Sequence, residues 1–190
     1  RLRRRFAIGR VCVVADRGMI SDATIAGLEE RGLEYILGVR ERSSKEVYEV
    51  VLNDPKPSVP LVIPRGRRPD TELEAKNVWV GERRYVVCRN LNEAKRDAEV
   101  REAVLRSLRE SLRGGDKALV GNSAYRRYLK TPDDKHFEID ERRVAEDARY
   151  DGLYVLRTNM RLDPLAVMLR YRELLKVEDI FRTTKSILDT

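Results

Sequence analysis

Short apolar runs rich in β-branched residues alternate along this chain with stretches of helical period. Residues 10–15 (Arg10-Val11-Cys12-Val13-Val14-Ala15) read as a buried strand that ends at Asp16. Ser21 and Asp22 are N-cap candidates for a helix through residues 23–31, and Gly32 punctuates its end. Tyr35-Ile36-Leu37-Gly38-Val39 then gives a second strand. The product is a strand–loop–helix–strand unit with an acid at the strand's carboxyl end, where α/β sheets place their ligands. The alternative for Asp16 is a turn-forming or capping acid.

The middle of the chain reads as β-rich with one long helix. Residues 46–52 suggest a strand, and residues 53–69 a linker in which Pro55, Pro57, Pro60, Pro64 and Pro69 break any regular element. Residues 77–81 and 84–89 look like a hairpin turning at Gly81-Glu82-Arg83. A charged helix follows over residues 92–112, with Ala94, Ala98, Val104, Leu105, Leu108 and Leu112 forming a partly apolar stripe that Gly114-Gly115 ends. Its bases (Lys95, Arg96, Arg101, Arg106, Arg109, Arg113) are interleaved with Asp97, Glu99, Glu102 and Glu110, a pattern that favours pairing on an exposed face over a phosphate track. Further strands are expected near residues 137–139 and 153–156. Asn159 ends the last of them, and Asp163-Pro164 supplies a cap and a first-turn proline for a final helix.

That final helix carries Tyr171, Glu178 and Lys185 at seven-residue intervals. Seven residues is nearly two turns, so the three share one stripe, spaced by about 10 Å from the ~1.5 Å rise per residue. Leu174 and Leu175 lie on the same side, whereas Arg172, Lys176, Asp179 and Thr183 form the opposite face. The stripe alone fits either the wet face of an amphipathic helix or a functional site.

Together these segments resemble DDE transposases of the insertion-sequence-4 superfamily, most nearly the insertion-sequence-1634-like group. Val13-Val14-Ala15-Asp16-Arg17-Gly18-Met19 resembles the second-aspartate motif, and the terminal helix resembles the Y-(2)-R-(3)-E-(6)-K signature at Tyr171, Glu178 and Lys185. Residues 118–129 and 148–159 support the likeness, which runs from about Gly9 to Thr190. Leu174 occupies the signature's arginine position, and Arg182, one turn beyond Glu178, is a substitute candidate.

The resemblance implies an α/β, RNase H-like domain, incomplete in this chain, with a β-rich insertion between the second aspartate and the glutamate. On that division residues 1–44 belong to the core with Asp16, residues 45–150 to the insertion, and residues 151–190 to the returning core. It also implies metal-dependent DNA strand cleavage and transfer, with Asp16 and Glu178 as catalytic metal ligands for Mg²⁺ or Mn²⁺, since hard ions prefer oxygen donors. Tyr171, Lys185 and Arg182 would contact DNA, and Tyr125 and Arg126, in a cluster mixing aromatics with bases, are further candidates. The family's first aspartate lies upstream, and residues 1–10 hold no acid. A three-carboxylate site is therefore expected to be incomplete, and this chain alone inactive. A non-catalytic remnant that binds DNA or regulates an intact copy, and an RNase H-like nuclease without transposition, are the alternative expectations.

Charge is compatible with this reading. Lys and Arg number 39 against 32 Asp and Glu, a net charge of +7 with a pI near 9.5, which suits a polyanionic partner, DNA first. The resemblance implies that this DNA is the transposon's terminal inverted repeats. The intact family makes a homodimer plausible. Cys12 and Cys88 sit in apolar runs and read as buried thiols, and His136 is assigned no role. No run approaches the ~18 apolar residues of a membrane span, and no signal peptide is visible, so no membrane partner and a cytoplasmic location are expected.

Overall fold

The computed structural model describes residues 10–16, 20–39, 44–65, 68–114, 123–131 and 136–174. Its centre is a mixed six-stranded sheet, which makes the chain an α/β protein. In chain order the strands are β1 (Cys12–Ala15), β2 (Glu34–Gly38), β3 (Val59–Arg65), β4 (Arg68–Val80), β5 (Arg83–Asn90) and, after the two-stranded ribbon β6 (Leu129–Lys130) and β7 (Glu138–Ile139), β8 (Leu153–Thr158). The main sheet has the order β1-β2-β8-β5-β4-β3.

β1 and β2 are parallel, with Val13 opposite Tyr35 and Ala15 opposite Leu37. A parallel neighbour requires a crossover, and α1 (Asp22–Glu30) supplies it. Ser21 caps α1 by accepting from the Thr24 amide at 3.2 Å, and Gly32, at φ +59°, turns the chain into β2. Side chains alternate across a strand. Ala15, Tyr35 and Leu37 therefore pack with Ile25 of α1 on one face. On the other, Ile36, Val86, Cys88 and Leu156 pack with Val167 and Tyr171 from the helix that begins at residue 164. Each fully buried aliphatic side chain there contributes ~1.5–3 kcal/mol.

That last helix starts where the sequence predicts. The Asp163 side chain accepts from the Ala166 amide at 3.0 Å, and Pro164 occupies the first helical position. Two sets of bonds fix the segment before it. Asn159 accepts from the Tyr35 amide and donates to the Leu33 carbonyl, both at 2.9 Å. Buried Arg84 donates to the carbonyls of Met160 and Leu162 and to the Asn77 side-chain oxygen, so its charge is met by carbonyl dipoles.

Two expectations for the middle of the chain are corrected. Residues 47–51 are a π-helical turn rather than a strand, with the Leu52 amide reaching the Val47 carbonyl at 2.9 Å. Val47 and Val51 are fully buried while Val50 is half exposed, so the β-branched residues that suggested a strand serve one helical face. Residues 53–69 are not wholly irregular, because β3 runs through Pro60 and Pro64. β3 is an outer strand, where a missing N–H on the outward side costs no ladder bond.

Packing divides the chain into two compact units. The first comprises residues 1–63, 73–88 and 154–190, and the second residues 64–72 and 89–153. The second is organised by α2 (Leu91–Arg113), capped by Asn90, whose side chain accepts from the amides of Asn92 and Glu93. Leu105 and Leu108 of α2 pack against Tyr128 and Leu129. The short α3 (Ser123–Arg126) and α4 (Glu141–Ala148), which the hydrophobic pattern does not reveal, complete it. Arg101, expected on the wet face of α2, is buried and pairs bidentately with Asp151. Gly152, at φ +62°, makes the tightest approach in the unit, because a Cβ there would lie 2.3 Å from the Asn90 carbonyl oxygen. No helix among the described residues is long and apolar enough to cross a membrane.

Candidate active-site cleft

Asp16 lies one residue beyond β1, half-buried, at the carboxyl end of the parallel pair. Its Oδ1 accepts from the Tyr171 hydroxyl at 2.6 Å, across 155 residues of sequence. The Tyr171 ring is 6% exposed and belongs to the apolar cluster beneath the sheet, so packing rather than chance orients the hydroxyl. A 2.6 Å contact is in the range of O–H···O⁻ bonds to an ionised acceptor. Two motifs singled out from opposite ends of the sequence thus meet in one place.

Asp16 also lines a cleft of about 470 Å³ within the first unit, together with Asp22, Glu46, Arg83, Tyr85 and Arg157. Five segments supply these residues: the end of β1, the start of α1, the residue before the π-turn, the start of β5 and the end of β8. Ile20, Ile25 and Leu37 provide an apolar floor. Register explains how the basic side arrives there. Leu37 pairs with Ala15 on one side and with Arg157 on the other, so all three form a row across the sheet.

The cleft is electrostatically mixed. Glu46 accepts from the Tyr85 hydroxyl and from Arg83. Burial, reinforced by the bond to Glu46, pushes the Tyr85 phenol up to about 12, so Tyr85 is a neutral donor throughout the ordinary pH range. Arg157 faces Asp22 at 3.9 Å and Glu29 at 3.6 Å. Both contacts are too long for good hydrogen bonds. Its side chain is 14% exposed, and its Nε is buried with no hydrogen-bond partner among the described residues. Glu29 instead accepts from the Tyr35 hydroxyl at 2.6 Å.

The remaining candidates divide by unit and by coverage. Tyr125 and Arg126 belong to the second unit, where the Tyr125 hydroxyl meets Ser107 Oγ at 2.7 Å and Arg126 is exposed. Glu178, Arg182 and Lys185 lie outside the described residues. Leu174, at the signature's arginine position, packs against the apolar cluster that holds Tyr171. Cys88 is a buried thiol whose pKa burial raises to about 12, and half-buried Cys12 is also raised by burial. Neither suits a nucleophile.

Sequence reasoning missed Glu46, Arg83, Tyr85 and Arg157. Only Arg157 left a local trace, as a charged residue inside the otherwise apolar run Leu153-Tyr154-Val155-Leu156 and its continuation. Among the described residues, no group of three or more His, Cys, Asp or Glu side chains is arranged to hold a metal ion. No family model, curated protein or solved structure matches this chain.

Proposed function

We propose that this chain is a DDE transposase catalytic-domain segment with an RNase H-like core, in which Asp16 and Glu178 act on a DNA phosphodiester with a divalent metal, Mg²⁺ or Mn²⁺. The observation that carries the reading is the Tyr171–Asp16 hydrogen bond, which joins the two motifs on which the resemblance rests. The parallel β1–α1–β2 unit beside antiparallel β8, with its acid at the strand end, supports the same reading.

The donor chemistry fits a hard cation in kind. Asp16 is an oxygen donor of the kind Mg²⁺ and Mn²⁺ take. Asp22 and Glu46 line the same cleft, but no three such side chains among the described residues are grouped to hold an ion. Such an ion supplies charge neutralisation at the phosphate and acidifies an attacking hydroxyl. The chain's own residues supply the rest. Tyr171 orients the Asp16 carboxylate, Ile20, Ile25 and Leu37 line the cleft with apolar surface, and neutral Tyr85 holds Glu46 in place through its hydroxyl. The complete reaction needs a third carboxylate beyond Asp16 and Glu178, so the activity proposed here belongs to a completed site.

Titration of the full chain with Mn²⁺, followed by calorimetry, tests the assignment without requiring turnover. The expected result is one site that Asp16→Asn and Glu178→Gln each weaken at least tenfold, whereas Glu173→Gln, on an exposed position of the helix that begins at residue 164, leaves it unchanged. An isotherm indifferent to Asp16 and Glu178 would overturn the metal assignment.

A further inference from the structure

Arg157 is the least satisfied charged side chain of the cleft. It sits near the end of β8, mostly buried, yet its two acidic neighbours stand beyond hydrogen-bond distance and its Nε has no described acceptor. A guanidinium has five N–H donors in a planar fork. Here the Tyr35 hydroxyl is a hydrogen-bonding neighbour of the group, and Nε is the donor left without a described acceptor, which is costly away from water. Nε is closed to solvent, so it is the terminal Nη groups, 3.9 and 3.6 Å from their carboxylates, that an acceptor with several oxygens entering the cleft would meet. Arg83 lines the same cleft, half exposed and held by Glu46. A phosphate presents the tetrahedral oxygens that such forks bind, and the chain's charge of +7 favours a polyanion that carries it.

We propose that Arg157, assisted by Arg83, is the phosphate anchor of the cleft and seats one backbone phosphodiester of a DNA strand beside Asp16. This rests on the transposase reading for the identity of the polymer, and it adds a residue and a role that neither the resemblance nor the terminal-helix signature contains. Asp22 and Glu29 then act as resident counter-ions that the incoming phosphate displaces. Asp22, with a side chain 99% exposed, gives way at little cost.

The test measures binding of a short fluorescein-labelled DNA duplex to the full chain by anisotropy, across a salt series, with inorganic phosphate as competitor. Arg157→Gln should weaken binding by about tenfold or more and reduce the slope of log K against log salt by about 1. Arg157→Lys should restore the slope and part of the affinity, because it keeps the charge and loses the fork. Asp22→Asn should tighten binding about two- to fivefold by removing a competing carboxylate.

Millimolar phosphate that displaces the duplex only weakly supports a DNA backbone as the ligand. Full displacement by phosphate at equal concentration would overturn that choice in favour of a free-phosphate site. A folded Arg157→Gln protein with unaltered affinity and slope would overturn the anchor. So would equal losses in the Gln and Lys variants with no gain from Asp22→Asn, the behaviour of an internal brace.

Failure of this proposal is separable from failure of the metal reading. Asp16→Asn should abolish the Mn²⁺ site while changing duplex affinity less than about threefold, since the anchor and not the carboxylate carries binding. Arg157-dependent DNA binding without any Mn²⁺ site would leave the anchor standing and remove the metal chemistry.

Discussion

Replacing Tyr171 by Phe removes one oxygen atom and tests the contact on which the site depends. The ring is 6% exposed and packs with Ile36, Val86, Leu156 and Val167, so Phe preserves that packing and deletes the hydroxyl that bonds Asp16. Hydrogen bonds to a charged partner are worth ~1.5–3 kcal/mol. Asp16 is half-buried, so water replaces part of what it loses, and the lower end, about 1.5 kcal/mol, is expected. Asp16→Ala strands the Tyr171 hydroxyl but also removes the other interactions that Asp16 makes, so neither single variant isolates the pair.

The double-mutant cycle does isolate it. Urea unfolding, followed by fluorescence of Trp79, the sole tryptophan and a member of the first unit, should give a coupling energy of about 1–2 kcal/mol. Coupling below about 0.5 kcal/mol would refute the claim that this bond assembles the site. Tyr171→Ala serves as the contrast and should cost about 3–5 kcal/mol by opening a cavity. If Asp16 is a metal ligand, Tyr171→Phe should also weaken Mn²⁺ binding about 10–100-fold, because outer-shell partners orient the ligating carboxylate.

Two further variants probe the frame. Gly152→Ala should cost several kcal/mol in thermal unfolding of the second unit, because its Cβ would meet the Asn90 carbonyl oxygen at 2.3 Å and the Ala94 nitrogen at 2.7 Å, at a φ of +62° that alanine resists. An unchanged melting temperature would show that Asn90 and α2 can move away. Burial raises both Tyr85 and Tyr128 to about 12, with bonds to Glu46 and Asp147 assisting, from an unfolded value near 10. A raised pKa means that the folded state holds its proton longer. The stabilisation is full below about pH 10 and disappears as pH climbs through 12. Urea midpoints should therefore fall with pH from about 10 upward, and Tyr85→Phe should remove part of that fall. A flat alkaline profile would contradict the buried, hydrogen-bonded phenols.

How much of this was legible depended on whether information was local. Ser21, Gly32, Asn90 and Asp163 act on residues within four of themselves, and each sits at a helix or strand boundary near where the sequence suggested. The apolar periods of β1, β2, β8 and α2 were equally plain. Local composition misled where tertiary position decided the outcome. Pro60 was read as a breaker because its tolerance depends on β3 being an outer strand, which only the sheet order reveals. Val47 and Val51 satisfy a strand pattern and a helical face alike, and the backbone bond from the Leu52 amide to the Val47 carbonyl decides for the helical turn. α4 has a single large aliphatic residue, Val144, among charged neighbours, so it offers no apolar stripe to read. The cleft was the least legible part, since Glu46, Arg83, Tyr85 and Arg157 become neighbours only when separate strands pair.

That dependence on pairing makes strand register the link between fold and function. Arg157 faces the cleft because it stands opposite Leu37, in the row that begins at Ala15. A slip of β8 by one residue against β2 would carry Arg157 to the opposite face, among Ile36, Val86 and Val167, and would bury an unpaired cation there. Apolar matching alone gives weak protection, because β8 is apolar on both faces. The side chains at its end provide the lock. Thr158 donates to the Tyr35 carbonyl at 2.6 Å, and Asn159 engages the Tyr35 amide and the Leu33 carbonyl. Each of these bonds has one correct partner, and a slipped strand forfeits all three. Two polar residues that never touch the cleft thus determine which face of the sheet carries its arginine.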